Sequence, residues 1–346
     1  MNRNYVIKRA LYTFLMYVVM VTTFSILFNN VAEQTMRANI EEQVQLEMRN
    51  VKNVEPEAMA KLRLDKIQIK VHQNHLDEPL VSRIVWRTID TITFNFRNSS
   101  GMKASNGDRS VLGIIAEAVP NTLALFLTEV VLVVAIGVPL GLYAARKPNG
   151  LLDRTSSSLA MFTQGLPTFW VGMIMIMIFS YGAKWFPSGG VHSNPPPEGI
   201  FYLLDYLGHL ALPLITMTLI GLWGTVYLVR NIVLSNLQED YIMAARSRGI
   251  PEGKVLLGHT LRSSMPAIMT IAVLSLFSSI SGNIIVEGIF GWPGIGNQYF
   301  VAVQQNDVPV LMGTLSIQTL FNVVGFFLLD ILYGYLDPRI KVGGKA

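Results

Sequence analysis

"QEDYIMAARSRGIPEGKVLLGHTLRSSMP", Gln238–Pro266, carries charges of both signs and separates two long apolar runs. Ser235 to Arg248 reads as helix. Gly249 is a good residue to end it, and Pro251 suits the first turn of a second helix. The surrounding chain has a different composition. Hydrophobic residues make up 51% of the protein and charged residues 14%, with a mean hydropathy of +0.41. Soluble domains carry about 25% charged residues. A charged helical segment enclosed by such neighbours belongs in water between membrane spans, and the fold follows from that placement.

A bilayer-crossing helix needs about 20 mostly apolar residues. Six stretches qualify: Ala10–Phe28, Thr122–Ala144, Leu159–Tyr181, Leu210–Val229, Ala267–Glu287 and Val310–Tyr333. The first follows Lys8 and Arg9 and ends in "NN". It is longer than the apolar core of a secretory signal and lacks a small-residue cleavage site, so it reads as an uncleaved span.

Lys and Arg orient the spans. With the N-terminus inside, the inner segments hold 14 of them: Arg3, Lys8, Arg9, Arg146, Lys147, Arg154, Arg230, Arg246, Arg248, Lys254, Arg262, Arg339, Lys341 and Lys345. The two short outer loops hold only Lys184, and the other 12 lie in the long segment Asn29–Val119. Both termini and the 238–266 stretch are therefore expected in the cytoplasm of a multi-pass protein of the cell (plasma or inner) membrane. The expected organisation is 1–28 for the N-terminus and first span, 29–119 for an extracytoplasmic segment, 120–336 for a five-helix core with an inner loop at 235–265, and 337–346 for a cytoplasmic tail.

Within the outer segment, Glu33–Gln73 is charged, roughly helix-periodic and broken at Pro56. Arg83–Phe96, "RIVWRTIDTITFNF", reads as interfacial or strand-like. Its 12 acids, from Glu33 to Glu117, balance its 12 bases. A small solvated cap and a docking surface for an outer partner both fit. The later outer loop "PSGGVHSNPPPEGI" is not helical through Pro195–Pro197.

Several chemistries are excluded or weakly supported. There are no cysteines, so thiol catalysis and disulfides are out. Five scattered histidines contain no His-x-x-x-His pair, which argues against a metal site. The net charge of +4 is modest and gives no nucleic-acid footprint. "GWPGIG" (291–296) lacks the flanking strand and helix of a nucleotide loop. Acids within spans are costly and point to function. Glu129 fits an ion relay, a hydrogen bond to a neighbouring helix, or a water-filled path. Asp330 and Glu287 lie near span ends. "GVPLG" (137–141), "GLPTFWVG" (165–172) and "ALPLI" (211–215) interrupt spans with Pro and Gly, as in helices bent around a path or in kinked packing. Small residues in "SLFSSISGN" (275–283) would permit close helix packing or line a pore. A secondary carrier would show inverted repeats and paired ionisable groups, and an intramembrane enzyme would need a nucleophile and base on facing spans. Neither pattern is present.

The inner stretch does carry a site. Tyr241, Ala244, Ala245 and Arg248 recur at helical spacings of three or four, on one face. Two alanines permit close approach by another surface, with Tyr241 as an anchor and Arg248 as a charge. The pattern suits a helix docked in a partner's groove or one lying on lipid.

"DYIMAARSRG" followed by "HTLRSSMP" resembles the cytoplasmic signature of permease subunits of ATP-binding-cassette importers. That pattern is Glu-Ala-Ala, three residues, Gly, then Leu and Pro. The matching positions are Ala244, Ala245, Gly249, Leu261 and Pro266, with Met243 in place of Glu, as is usual in the peptide-import branch. "LPTFWVGMIMIMIFS" (166–180), "VEGIFGWPGIGNQYFVAVQQNDVPVLMG" (286–313) and "LLDILYGYLDPRIK" (328–341) are similar to other segments of that branch. The likeness runs from Val111 to Lys341 and weakly over "LDEPLVSRIVWRTI" (76–89). After the first span, "NNVAEQTMR" replaces the branch's Pro-Gly-Asp-Pro run.

The resemblance implies an all-α, polytopic membrane protein with six transmembrane helices, of the type I importer permease fold, plus the long extracytoplasmic segment. It implies that this chain is not an enzyme and binds no cofactor. ATP and Mg are used instead by two cytoplasmic ATPase subunits. A second homologous permease, forming a heterodimer, and an extracytoplasmic substrate-binding protein complete the assembly, with no nucleic acid. Asp240, Tyr241, Ala244, Ala245, Arg246, Arg248 and Gly249 are the implied ATPase-coupling residues. The implied cargo is a di- or oligopeptide, with an oligosaccharide as the alternative.

Overall fold

The computed structural model describes residues 3–49, 55–280 and 282–336. The expected tail at 337–346, with Arg339, Lys341 and Lys345, lies outside the described residues. Among those described, structure is helical apart from one isolated antiparallel bridge, Asn98 to Ser110.

In chain order, α1 (Arg3–Leu27) is the first span, followed by α2 (Asn29–Arg49), α3 (Pro56–Gln73) and α4 (Leu80–Ile92). Pro56 sits in the first turn of α3, where its missing N–H costs nothing. Helix α4 differs from the strand-like reading of Arg83–Phe96. Its β-branched residues suggested extended chain, but Val81, Val85 and Ile89 recur every four residues and form a helical apolar side. Next come α5 (Val111–Arg146), α6 (Leu151–Gly165), α7 (Thr168–Met175, continuing as a π-helix over Ile176–Gly182) and α8 (Ile200–Leu237). The second half contains α9 (Asp240–Ser247), α10 (Glu252–Lys254), a π-helical segment Val255–Thr260, α11 (Leu261–Ile280), α12 (Ile284–Ile289), α13 (Ile295–Gln304) and α14 (Val308–Leu336).

Among the described residues, five helical runs are long and apolar enough to cross a bilayer: α1, α5, α8, the run Glu252–Ile280 and α14. The stretch expected to form a straight span at Leu159–Tyr181 is bent by 98° between α6 and α7, and the pair together makes a sixth candidate. Pro167 causes the break. It pushes Leu166 out of the helical region, to φ −91° and ψ 130°. The span expected over Ala267–Glu287 ends instead at Ile280, before the short α12.

The chain forms two compact units. Among the described residues, one contains 3–8, 119–280, 282–297 and 324–336. Among the described residues, its core includes two apolar clusters. Leu125, Phe126, Leu210, Leu212, Val286, Phe290 and Trp292 form the first. Ala145, Val229, Val233, Leu237, Ile242, Ala245, Val255, Leu256 and Ile268 form the second. Helix α6 is held to α8 by a two-pronged ion pair. Arg230 donates from Nε and Nη2 to Asp153 at 2.7 and 2.9 Å, and the Asn149 N–H adds a third bond at 2.8 Å. Gly141 lets α5 close on α8, since a Cβ there would lie 2.8 Å from the Val226 carbonyl oxygen.

The other unit contains, among the described residues, 9–49, 55–118 and 298–323. Helices α2 and α3 form a hairpin over Ile40, Val44 and Leu76, and Lys66 and Lys70 both reach Glu47 at 2.7 Å. Ala32, Val308 and Met312 pack with Phe24 and Phe28. Asp307, fully buried, accepts from Ser99 Oγ, from Gly101 N at 2.9 Å and from Val310 N at 3.4 Å. It thus caps α14 and ties down the loop after α4.

Two measurements follow. Asp153→Ala leaves Arg230 without its partner and should lower stability by about 2–3 kcal/mol. Asp153→Ala with Arg230→Met should lose less, and thermal unfolding in detergent reads both. In the second unit, burial alone would raise the Glu33 carboxyl. Hydrogen bonds and charge from Arg37 and Arg83 outweigh it and hold the group below its ordinary value. Glu33 therefore stabilises the fold above the usual carboxylate range, and that contribution disappears as pH falls through its lowered folded value. Glu33→Gln should flatten the acid limb of a stability–pH curve.

Candidate coupling site

Helix α9 follows directly from α8. Glu239 precedes it in extended conformation, at φ −70° and ψ 144°. Its carbonyl accepts from Ile242 N at 2.9 Å and Met243 N at 3.3 Å. Asp240 in the first turn and Arg246 in the last oppose the helix dipole with the favourable signs.

The helix ends in a Schellman motif. Gly249 N donates to Arg246 O at 2.9 Å, and Ile250 N donates to Ala245 O at 3.3 Å. Gly249 adopts φ +74°, a conformation that costs a residue with a side chain about 1–2 kcal/mol. Ile250 packs on the same cluster as Ala245, the apolar contact that usually accompanies this cap. Pro251, expected in the first turn of the next helix, instead flanks α10 as its cap residue, at φ −58° and ψ 139°.

Two polar links hold α9 to its surroundings. Tyr241 Oη donates to Ser263 Oγ at 2.7 Å and Arg246 Nε reaches Glu252 Oε1 at 2.7 Å, while Asn236 Nδ2 of α8 donates to Ser264 Oγ of α11 at 2.7 Å. Ile242 is 0% exposed and Ala245 8%, and both insert into the cluster formed with α8 and the π-helical segment.

Asp240, Tyr241, Ala244, Arg248 and Gly249 are exposed and Arg246 is partly exposed. Ala245 differs from the expectation that both alanines face outward. Neighbouring helical residues are about 100° apart, and Ala245 lies on the side of Ile242. Its small side chain permits close approach, but to this chain's own core. The outward stripe instead contains Asp240, Met243, Ala244, Ser247 and Arg248, spaced at three or four residues. Met243 and Ser247 were missed, although the same spacing counted from Asp240 reaches both.

The buried acids have different settings. Glu287 is 0% exposed. It accepts from Thr122 Oγ1 at 2.9 Å and Asn297 N at 2.9 Å, while Ile295 N donates to Thr122 Oγ1 at 2.8 Å. Trp292 Nε1 donates to Asn121 O at 2.8 Å and Asn121 Nδ2 to Pro293 O at 3.1 Å. A Cβ at Gly294 would sit 2.4 Å from Thr122 Oγ1 and 2.6 Å from Glu287 Cδ. Glu287 is therefore the hydrogen-bonded knot of the loop after α11. Glu129 leans against α8, since a Cβ at Gly221 would lie 2.9 Å from its Oε1.

Substituting Gly249 separates backbone strain from crowding, because no atom lies within 4 Å of a Cβ placed there. Gly249→Val should destabilise the turn by about 1–2 kcal/mol. Gly249→Asn, which tolerates positive φ, should cost less. Hydrogen exchange at the Ile250 amide reads the difference.

Comparison with known proteins agrees with this architecture. Residues 137–342 match the family described as binding-protein-dependent transport system inner membrane component. The oligopeptide transport system permease protein AppB of Bacillus subtilis is 36% identical over 66% of this chain and 71% of its own. The dipeptide transport system permease protein DppB of the same species is 30% identical over 79% and 83%. The peptidoglycan transport system permease protein YejB of Agrobacterium fabrum is 28% identical over 84% and 78%. With α9 set between the long helices α8 and α11 inside the matched region, the chain belongs to the family of binding-protein-dependent inner membrane transport components.

Proposed function

We propose that this chain is one permease subunit of an ATP-driven importer of di- or oligopeptides. The observation that carries the reading is α9. It is a short helix with an exposed stripe, Asp240, Met243, Ala244, Ser247 and Arg248, tied by side chains to α10 and α11 and rooted in the core by Ile242 and Ala245. The peptide class is supported by the names of the similar permeases from Bacillus subtilis.

Both termini and α9 lie in the cytoplasm, the side assigned by the Lys and Arg excess. Two cytoplasmic ATPase subunits bind and hydrolyse ATP with Mg. One accepts α9 in a groove, where the small Ala244 permits close approach while Tyr241, Arg246, Arg248 and Gly249 border the contact. A second permease shares the translocation path, and an extracytoplasmic binding protein delivers the peptide. A helix cross-linked to its neighbours moves with them as one body. Displacement of α9 when the ATPases close therefore tilts the spans and switches the path between two states.

Reconstituted transport with partners and binding protein tests this. Ala244→Trp should leave ATP hydrolysis intact and reduce peptide uptake at least about tenfold. Ala245→Trp should instead lower thermal stability, because that site is filled. Undiminished uptake by Ala244→Trp, or uptake by this chain alone driven by a proton gradient, would overturn the assignment.

A further inference from the structure

Glu129 sits at membrane depth with no counter-charge. Its side chain is half-buried and makes no hydrogen bond or ion pair among the described residues. Other acids of the same unit are engaged: Asp153 by Arg230, Asp205 by Ser193 and His192, and Glu287 by Thr122 and Asn297. The Glu129 carboxyl rests against Gly221 of α8. Between Asp205 and Arg230 α8 carries no charge. Gly221 lies in that stretch, about 14 Å along the axis from Arg230 and further from Asp205. One turn earlier on α8, the Thr218 hydroxyl is also buried without a partner. An ionisable group at such depth faces the bundle interior or a water-filled cavity.

The same side of α8 meets a second polar feature. A Cβ at Gly224 would lie 3.5 Å from Gln164 Nε2. Residues three apart on a helix are neighbours, with Cβ positions about 5–6 Å apart, so the Glu129 carboxyl and the Gln164 amide lie within about 12 Å of each other. Gln164 is exposed in the last turn of α6, where the chain turns by 98° into α7. The final carbonyls of α6 have no intrahelical donor, and that end of the helix carries a partial negative charge. Leu166 N satisfies one of them, Thr163 O, at 3.3 Å. Gly165 and Pro167 are exposed, so this chain does not itself cover the break. Broken backbone within a bilayer persists where it is buried in protein or lines a water-filled cavity. The carboxyl and the helix break therefore place the same demand on their surroundings.

We propose that Glu129 and the C-terminal end of α6 line the translocation path and receive the protonated amino terminus of the passing peptide. The inference rests on the peptide-importer reading above. An ammonium has three N–H donors and no acceptor, and a carboxylate beside outward carbonyls offers acceptors only. Half-helix C-terminal ends bind cations at mid-membrane in the same way. Among the described residues no three acidic or histidine side chains come together, so a divalent cation would lack carboxylate ligands here. The site lies apart from the coupling helix and acts on the cargo rather than on the ATPases.

Uptake by the complete importer in proteoliposomes tests this, with the binding protein saturated by a tripeptide or by its N-acetylated form. Glu129→Gln should keep the melting temperature, lower uptake of the free-amine tripeptide about tenfold, and change uptake of the acetylated form by less than about twofold. Glu129→Asp should retain most of the uptake. Undiminished uptake by Glu129→Gln would overturn the proposal. So would equal losses for both peptides, the result expected if Glu129 pairs with a base of the second permease. Should Glu129→Gln misfold, or the wild type not carry the acetylated form, carbodiimide carries the test on the wild type, because it joins a carboxylate to an adjacent primary amine. It should couple the free-amine tripeptide to Glu129 during turnover, and absence of that adduct would sink the proposal. No peptide uptake by the wild type would refute the importer reading itself, whereas normal wild-type uptake with any of these contrary outcomes refutes the role of Glu129 alone.

Discussion

Within a hydrocarbon layer every backbone N–H and C=O must be satisfied by the protein itself. Among the described residues, the loop after the run Glu252–Ile280 shows how specific polar groups meet that demand. Where the run Glu252–Ile280 ends, Asn283 caps α12 through Ile285 N and Val286 N, and Glu287 gathers donors from Thr122 and Asn297. Trp292 and Asn121 lock the loop back onto α5. Where α6 meets α7, Pro167 removes the possibility of a straight span. Asp153 and Arg230 hold α6 against α8. The glycines at 282 and 294 are needed there, because the Glu287 carboxylate occupies the space a side chain would fill.

The same requirement shapes α9. An eight-residue helix is too short to be stable alone, so its conformation depends on what it packs against. Ile242 and Ala245 supply the apolar contact, and the Schellman turn at Gly249 satisfies the final carbonyls. The polar links to Ser263 and Glu252 give the helix neighbours with which it must move.

Much of the architecture was legible from pattern alone. Apolar length located the spans, and Gly249 marked the end of α9 because an unstrained positive φ is largely reserved for glycine. Strand-like reading of Arg83–Phe96 failed because β-branched residues carry a propensity that a helical apolar period overrides. The pairing of the alanines failed for a geometric reason. Spacing says which residues are neighbours on a helix, but not which part of the circumference meets the core, and Ala245 lies on the buried side of that boundary.

The sequence by itself determined that this is a membrane protein with several helical spans and a charged, helical loop between two of them, because hydropathy and charge act through the solvent and need no knowledge of contacts. Only the tertiary structure decided which residues α9 shows and which it buries, how the sixth candidate span is bent, and that Glu287, Asp153 and Asp307 serve as structural anchors. The three anchors depend on partners from 77 to 208 residues away in the chain, and local composition carries no record of which distant group fills a given space.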